Sequence, residues 1–253
     1  MNCYGLTDTG IVRKNNEDSF SIKEFGENIV ATVVADGMGG HVGGRVASSL
    51  AADIAMGLIE DVKGKLASYT DKQYESLLKS IVTKVNKQVF AKSREDSELD
   101  GMGTTLVICM VKSDRYYAVN VGDSRLYLYS DGLKQITKDH SYVAELLEMG
   151  VITEKQAAVH PNKNVITRAI GTEKSVVPDT YSGVLKKDDV ILICSDGLSN
   201  MVSDKDISDV IKKAEKAETA ASMLVELANK NGGRDNITAV VMKYDETGRD
   251  KAL

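Results

Sequence analysis

The chain has 253 residues, of which 42% are apolar and 27% charged, an ordinary globular mixture that can bury a sizeable core. A net charge of −5 without a basic stripe argues against nucleic acid as the main partner. Three scattered cysteines and three histidines argue against a disulfide framework, a thiolate zinc site and a histidine-rich metal site, so any metal must be held by oxygen.

The first residues, Met1 to Gly10, carry neither a basic region nor an apolar one, and no apolar run approaches the length of a membrane span. The expectation is a cytoplasmic protein with no membrane insertion. Without a linker, a low-complexity tract or a repeat, one domain over 1–253 is expected.

In chain order, the first apolar β-branched run predicts a strand over Ile29–Ala35. Two helices follow. Val46, Leu50, Ile54 and Leu58 recur every four residues beside a stripe at Ala47, Ala51 and Ala55, and Leu78, Ile81, Val82, Val85 and Val89 mark the second. Strands are then predicted over Thr104–Val111, Tyr116–Val121 and Leu126–Tyr129, and a short helix over Ser141–Met149. A strand at Val190–Cys194, helices at Ser203–Ala214 and Thr219–Asn229, and a last strand at Ile237–Lys243 complete the order. Strands mostly follow strands, which favours antiparallel pairing. The pattern predicts an α+β fold, a central antiparallel β-sandwich flanked on both sides by helices in four α-β-β-α layers.

An aspartate repeatedly stands where an apolar run ends or begins: Asp36 in Val-Ala-Asp-Gly, Asp123 in Val-Gly-Asp-Ser-Arg, Asp196 in Cys-Ser-Asp-Gly and Asp235 before the last strand. Glu17 and Asp18 lie beside a further strand start. Asp-Gly is also a common turn dipeptide, and the chain contains its own control. Ser130-Asp-Gly-Leu and Ser195-Asp-Gly-Leu are identical, but alternating residues flank the first and a fully apolar run precedes the second. Asp131 is therefore expected in a hairpin turn and Asp196 in a site.

Convergence lifts the set above its members. Two carboxylates about 5 Å apart repel by roughly 3 kcal/mol at an effective dielectric near 20. Several such pairs would exceed much of a domain's net stability of about 5–15 kcal/mol. Such a cluster persists around cations, and carboxylates, a carbonyl and water are the ligands that Mg²⁺ and Mn²⁺ prefer. A metal pair can lower the pKa of a bridging water and generate hydroxide without a covalent intermediate. Arg13, five residues before Asp18, offers a planar fork to two phosphate oxygens. The glycine-dense stretch from Asp36 to Arg45 leads into a helix, but its spacing matches neither common nucleotide-binding loop.

Seven short motifs occur in one order: Arg13-Lys-Asn-Asn-Glu-Asp18, Asp36-Gly-Met-Gly-Gly-His41, Gly103-Thr-Thr105, Val121-Gly-Asp-Ser-Arg125, Asp139-His-Ser141, Ser195-Asp-Gly-Leu198 and Asp235-Asn-Ile-Thr238. In this the chain closely resembles the type-2C metal-dependent protein phosphatases, in their compact bacterial form. The resemblance implies hydrolysis of phosphoserine and phosphothreonine in proteins by a metal-activated water. It implies that Asp36, Asp196 and Asp235, with the carbonyl of Gly37, hold two Mn²⁺ or Mg²⁺ ions, and that Asp18 and Glu17 act through metal-bound waters. Asp123 with Asp196 would hold a third, weaker ion, and Arg13 would bind the phosphate. Animal members place a histidine directly after the Asp-Gly. Here Met38 stands there and His41 follows three residues later, so His41, a metal-bound water and bulk water all remain candidates for protonating the leaving oxygen. A flap is expected within 145–177, and a Ser/Thr protein kinase as the opposing partner. A non-catalytic module with the same fold is the rival, but every acid that the metal site needs is present. A nuclease would need a basic groove that the net charge of −5 does not favour.

Overall fold

The computed structural model describes residues 1–26, 28–95 and 97–245, with only the backbone of residues 40 and 41. Two antiparallel sheets face each other. One has the order β1-β11-β10-β7-β8, built from β1 (Asn2–Asp8), β7 (Arg125–Tyr129), β8 (Leu133–Gln135), β10 (Val190–Cys194) and β11 (Ile237–Lys243). The other has the order β2-β3-β5-β6-β9, built from β2 (Asp18–Glu24), β3 (Ile29–Met38), β5 (Leu106–Lys112), β6 (Arg115–Val121) and β9 (Asp179–Val184), and the short β4 (Gly103–Thr104) pairs with the end of β3.

The central strands read as unbroken apolar runs because both of their faces are covered. In β3, Ala31, Val33 and Ala35 face the helices, while Val30 and Val34 face the opposite sheet. Between the sheets, Val34, Val107, Cys109 and Ala118 meet Leu126, Ile191, Ile193 and Val240. Outside the second sheet lie α1 (Gly40–Glu60) and α3 (Asp71–Glu95), with the single turn α2 (Lys63–Leu66) between them. Outside the first lie α7 (Asp204–Lys213) and α8 (Ala217–Lys230), preceded by the short α6 (Asp196–Ser199). Burial of Ile207, Ile211, Leu224 and Val225 against Leu192, Cys194 and Val241 holds that layer. The four α-β-β-α layers are those the pattern predicts.

The two stripes of α1 are not equivalent. Ala47, Ala51 and Ala55 are fully buried, whereas Val46, Leu50, Ile54 and Leu58 are only partly so. Small side chains on the sheet-facing side let the helix axis approach the strands closely, so the larger residues flank the contact. Over 42–60 this helix is long and apolar enough to cross a membrane by composition, yet half of that stretch is buried inside the fold.

Between β8 and β9 the chain forms α4 (Tyr142–Glu148) and α5 (Glu154–Ala158). Ser141 caps α4 by accepting from the Ala144 N–H, and Thr153 and Gln156 form a capping box on α5. Bridges from Ser141 to Ile166 and from Thr104 to Ile170 close the base of this excursion.

Candidate metal centre

The acids reach one edge of the sandwich because strands end there. The β2–β3 register sets Asp18 opposite Asp36. Antiparallel pairing of β10 with β11 brings the end of one beside the start of the other, and so Asp196 beside Asp235. Asp36 is fixed through its backbone. Its N–H donates to Thr105 Oγ1 at 2.9 Å, and its carbonyl accepts from the Thr105 N–H and Thr104 Oγ1, also at 2.9 Å. Thr105 Oγ1 lies 2.8 Å from Ser124 Oγ, which ties Asp36 to the turn carrying Asp123. Gly37 must be glycine, because a Cβ there would collide with the Gly44 carbonyl at the start of α1.

Asn236 staples the Arg13–Glu17 loop to the start of β11. Its amide donates to the Thr9 and Asn15 carbonyls at 2.9 Å each, and its Oδ1 accepts from the Glu17 N–H at 2.8 Å. Asp18 is buried behind the cleft. Its Oδ2 accepts from Ser195 Oγ at 2.7 Å and Thr238 Oγ1 at 2.6 Å. Thr7 Oγ1 lies 2.8 Å behind Thr238 Oγ1 and accepts from Asn16 Nδ2 at 2.9 Å, extending the chain of polar groups.

Arg13, Glu17, Asp36, Gly37, Asp123, Asp196 and Asp235 line one cleft of about 210 Å³, together with Met38, Asn164 and Ile166. It continues on one side into a space of about 470 Å³ beside Val12, Lys14 and Gly39. On the other it opens into a groove of about 370 Å³ beneath α4 and α5, sharing Asp123 and Asp196. Arg13 does not present a free fork: its Nη2 donates to Asp235 Oδ2 at 2.7 Å. Asp131 lies apart in the exposed turn between β7 and β8, where Ser130 N–H donates to the Gly132 carbonyl at 3.2 Å. The side chain of His41 lies outside the described residues.

The electrostatics bear the marks of crowded carboxylates. Burial pushes the Asp36 carboxyl well above its usual range, and Asp18, Asp196, Asp123 and Asp235 push it further. Burial takes Asp18 to about 6 despite the two hydroxyls donating to it. Burial, then Asp196 and Asp139, takes Asp123 to about 7. Asp196 is also raised, by burial and by Asp235, and a hydrogen bond with Asp36 offsets part of that rise.

Among the described residues, no three His, Cys, Asp or Glu side chains are grouped closely enough to hold an ion as they stand. Mutual repulsion explains why they ring the cleft rather than converge on a point. The donor set nonetheless fits a hard divalent cation. All its atoms are oxygens, and Asp18 Oδ1 is buried without a hydrogen-bond partner among the described residues. Sequence reading missed the groups that brace these acids: Thr105, Ser124, Ser195, Thr238 and Asn236. The available signal was position, since each stands within three residues of an acid or inside one of the seven motifs.

Comparison with known proteins finds relatives over nearly the whole chain. The family model described as Protein phosphatase 2C matches residues 11–230. A serine/threonine phosphatase stp of Listeria monocytogenes is 40% identical over 254 residues, covering 99% of each chain. The serine/threonine phosphatase Stp1 from Staphylococcus aureus superposes with a TM-score of 0.86 at 35% identity, covering 97% of this chain and 96% of its own. The catalytic domain of the phosphatase PstP, solved with two manganese ions, gives a TM-score of 0.79 at 35% identity over 94% of this chain and 96% of its own.

Proposed function

Because the chain belongs to the protein phosphatase 2C family and is a serine/threonine protein phosphatase, we propose a division of labour among its own residues. Asp36, Asp196 and Asp235, with the Gly37 carbonyl, hold two divalent ions, manganese or magnesium. Asp123 with Asp196 holds a third, weaker one. When bound, such ions would lower the pKa of water in the centre and so supply a nucleophile near neutral pH.

The remaining steps fall to side chains. Asp18, held as an acceptor by Ser195 and Thr238, keeps Oδ1 free to accept from water in the centre, and Glu17, the residue just before it, acts in the same way from the mouth of the cleft. Arg13 leaves Asp235 to donate to two phosphoryl oxygens, orienting phosphorus towards the attacking oxygen. His41 is the histidine proposed for substrate contact or for protonating the leaving serine or threonine oxygen. His140 has both ring nitrogens engaged elsewhere, and His160 lies against Tyr142. The excursion within 145–177 acts as a flap over the groove that continues from the cleft. The setting we propose is cytoplasmic, with a Ser/Thr protein kinase producing the phosphoproteins.

The observation that carries this reading is the ring of half-buried carboxylates that raise one another's pKa around a single cleft. Turnover of a phosphothreonine peptide with Mn²⁺ tests it. Chelator and Asp196→Asn should each abolish turnover, and activity surviving thorough chelation would end the two-ion reading.

A further inference from the structure

We propose that His140 is a positioning residue that sets the orientation of Asp123 and couples it to the base of the 142–166 excursion. The claim rests on the assignment of Asp123 to a weaker third ion. His140 lies outside the cleft and is only 4% exposed, so its imidazole touches no substrate. It grips the residue before Asp123 from two sides. The Gly122 N–H donates to His140 Nδ1 at 3.1 Å, and the His140 N–H donates to the Gly122 carbonyl at 3.0 Å. Asn120 Nδ2 donates to the same carbonyl at 3.1 Å.

Gly122 has no other way to settle. Its φ is 107°, and a Cβ there would lie 2.6 Å from Thr105 Cγ2, so the peptide is wedged between His140 and the residue that holds Asp36. Because Nδ1 accepts, the neutral ring carries its proton on Nε2. That nitrogen faces Asp179 Oδ2 at 3.2 Å, while Asp179 Oδ1 accepts from Arg168 Nη1 at 3.3 Å. Arg168 Nη1 also stands 3.3 Å from Nε2, a contact between two donors that Asp179 bridges. The Thr167 N–H donates to the His140 carbonyl at 2.8 Å. The ring therefore joins the Asp123 turn to the edge strand β9, and the backbone of the same residue ties both to the chain just past the Ser141–Ile166 bridge.

The two ring nitrogens can be tested separately. In His140→Asn the amide oxygen overlies Nδ1, which keeps the Gly122 grip and drops Asp179. In His140→Gln the amide nitrogen overlies Nε2, which keeps Asp179 and leaves the buried Gly122 N–H without its acceptor. Calorimetric titration of the full chain with Mn²⁺ should resolve a weaker ion that Asp123→Asn removes. His140→Asn should keep that ion within about threefold of wild type, and His140→Gln should weaken it about 10–100-fold, as outer partners of metal ligands usually do. The tighter ions serve as the internal control and should be unchanged in both variants. Equal affinities in the two variants, or the reverse order, would overturn the proposal. If wild type shows no Asp123-dependent ion, the proposal falls together with the third-ion reading, while the two-ion centre stands. Should His140→Gln fail to fold, Asp179→Asn decides. It disturbs the contacts of Nε2 and Arg168 but leaves the Nδ1–Gly122 bond, so it must keep the weaker ion, and loss of that ion would contradict the assignment.

Discussion

Arg13 Nη2 donates to Asp235 Oδ2 at 2.7 Å, so the proposed phosphate cation rests against an acid of the proposed metal centre. Both side chains are partly open to solvent, at 51% and 38% exposure. Such a pair is worth at most about 1 kcal/mol, so an incoming phosphate can displace it cheaply. Arg13→Ala should raise KM for a phosphopeptide about tenfold, the loss of roughly 1.5 kcal/mol of charge-assisted hydrogen bonding. Mn²⁺ affinity should not weaken, because removing the cation leaves Asp235 unpaired beside the ions. Steady-state kinetics with calorimetry checks both halves, and unchanged KM and kcat would return Arg13 to an ordinary surface role.

The twin tetrapeptides give a second prediction. Asp196 opens α6 inside the carboxylate ring, whereas Asp131 sits in an exposed hairpin turn. Asp196→Ala should abolish turnover of an aryl phosphate, and Asp131→Ala should leave it nearly intact. Full activity in both variants would mean that the centre has been placed at the wrong strand end.

Thr238 is the test of the brace behind Asp18. Its hydroxyl donates to Asp18 Oδ2 at 2.6 Å. Thr238→Val removes a hydrogen bond to a charged group, which costs about 1.5–3 kcal/mol of stability. Mn²⁺ affinity should fall about tenfold or more as the acid loses its orientation. Thr238→Ser, which keeps the donor, should restore most of both. A Val variant with wild-type melting and metal affinity would show that Ser195 alone suffices.

The raised carboxyls set a pH dependence for the metal-free protein. Asp18 at about 6 and Asp123 at about 7 both lie above the usual carboxylate range. A folded-state pKa above the unfolded one means that the fold binds more protons between the two values. The cost of burying these charges, increased by their acidic neighbours, is therefore fully present above about pH 7 and is relieved as pH falls through 7 and 6 towards the ordinary carboxylate range. His140 works the other way, since burial lowers its pKa below 6.5 and its contribution is lost on acidification. With several acids against one histidine, the metal-free protein should melt higher at about pH 6 than at about pH 8, and saturating Mn²⁺ should reverse or flatten that slope. Melting curves over that range decide it.

What the sequence reveals follows burial. The strands read from apolar runs are those covered on both faces, and Val190–Cys194 and Ile237–Lys243 match their predicted bounds. The four edge strands β1, β2, β8 and β9 carry no such run, because each lacks a neighbour on one side and stays partly exposed. β2 and β8 are hinted at only by the strand start beside Asp18 and the alternation after Gly132. The acids of the site are legible because charged residues at the ends of apolar runs are conspicuous. Their braces are not. Thr105, Ser195 and Thr238 are ordinary strand-end residues until the register brings Thr105 to the backbone of Asp36, and Ser195 and Thr238 to the carboxylate of Asp18. Nor does spacing show that Arg13, 222 positions away in sequence, pairs with Asp235.

The central claim is that the clustered acids strain the metal-free fold and that cations relieve it. Differential scanning calorimetry of wild type and Asp196→Asn, with and without millimolar Mn²⁺ at neutral pH, tests this directly. A hundredfold excess over Kd stabilises the folded state by about 2.7 kcal/mol per site, a rise in Tm of roughly 5–10 °C for a chain of this size. Asp196→Asn should shrink that rise, and its metal-free form should melt no lower than metal-free wild type, because one repelling charge is gone. If Mn²⁺ leaves the wild-type Tm unmoved while turnover still requires it, the acids do not repel one another as claimed and the ions bind chiefly with substrate.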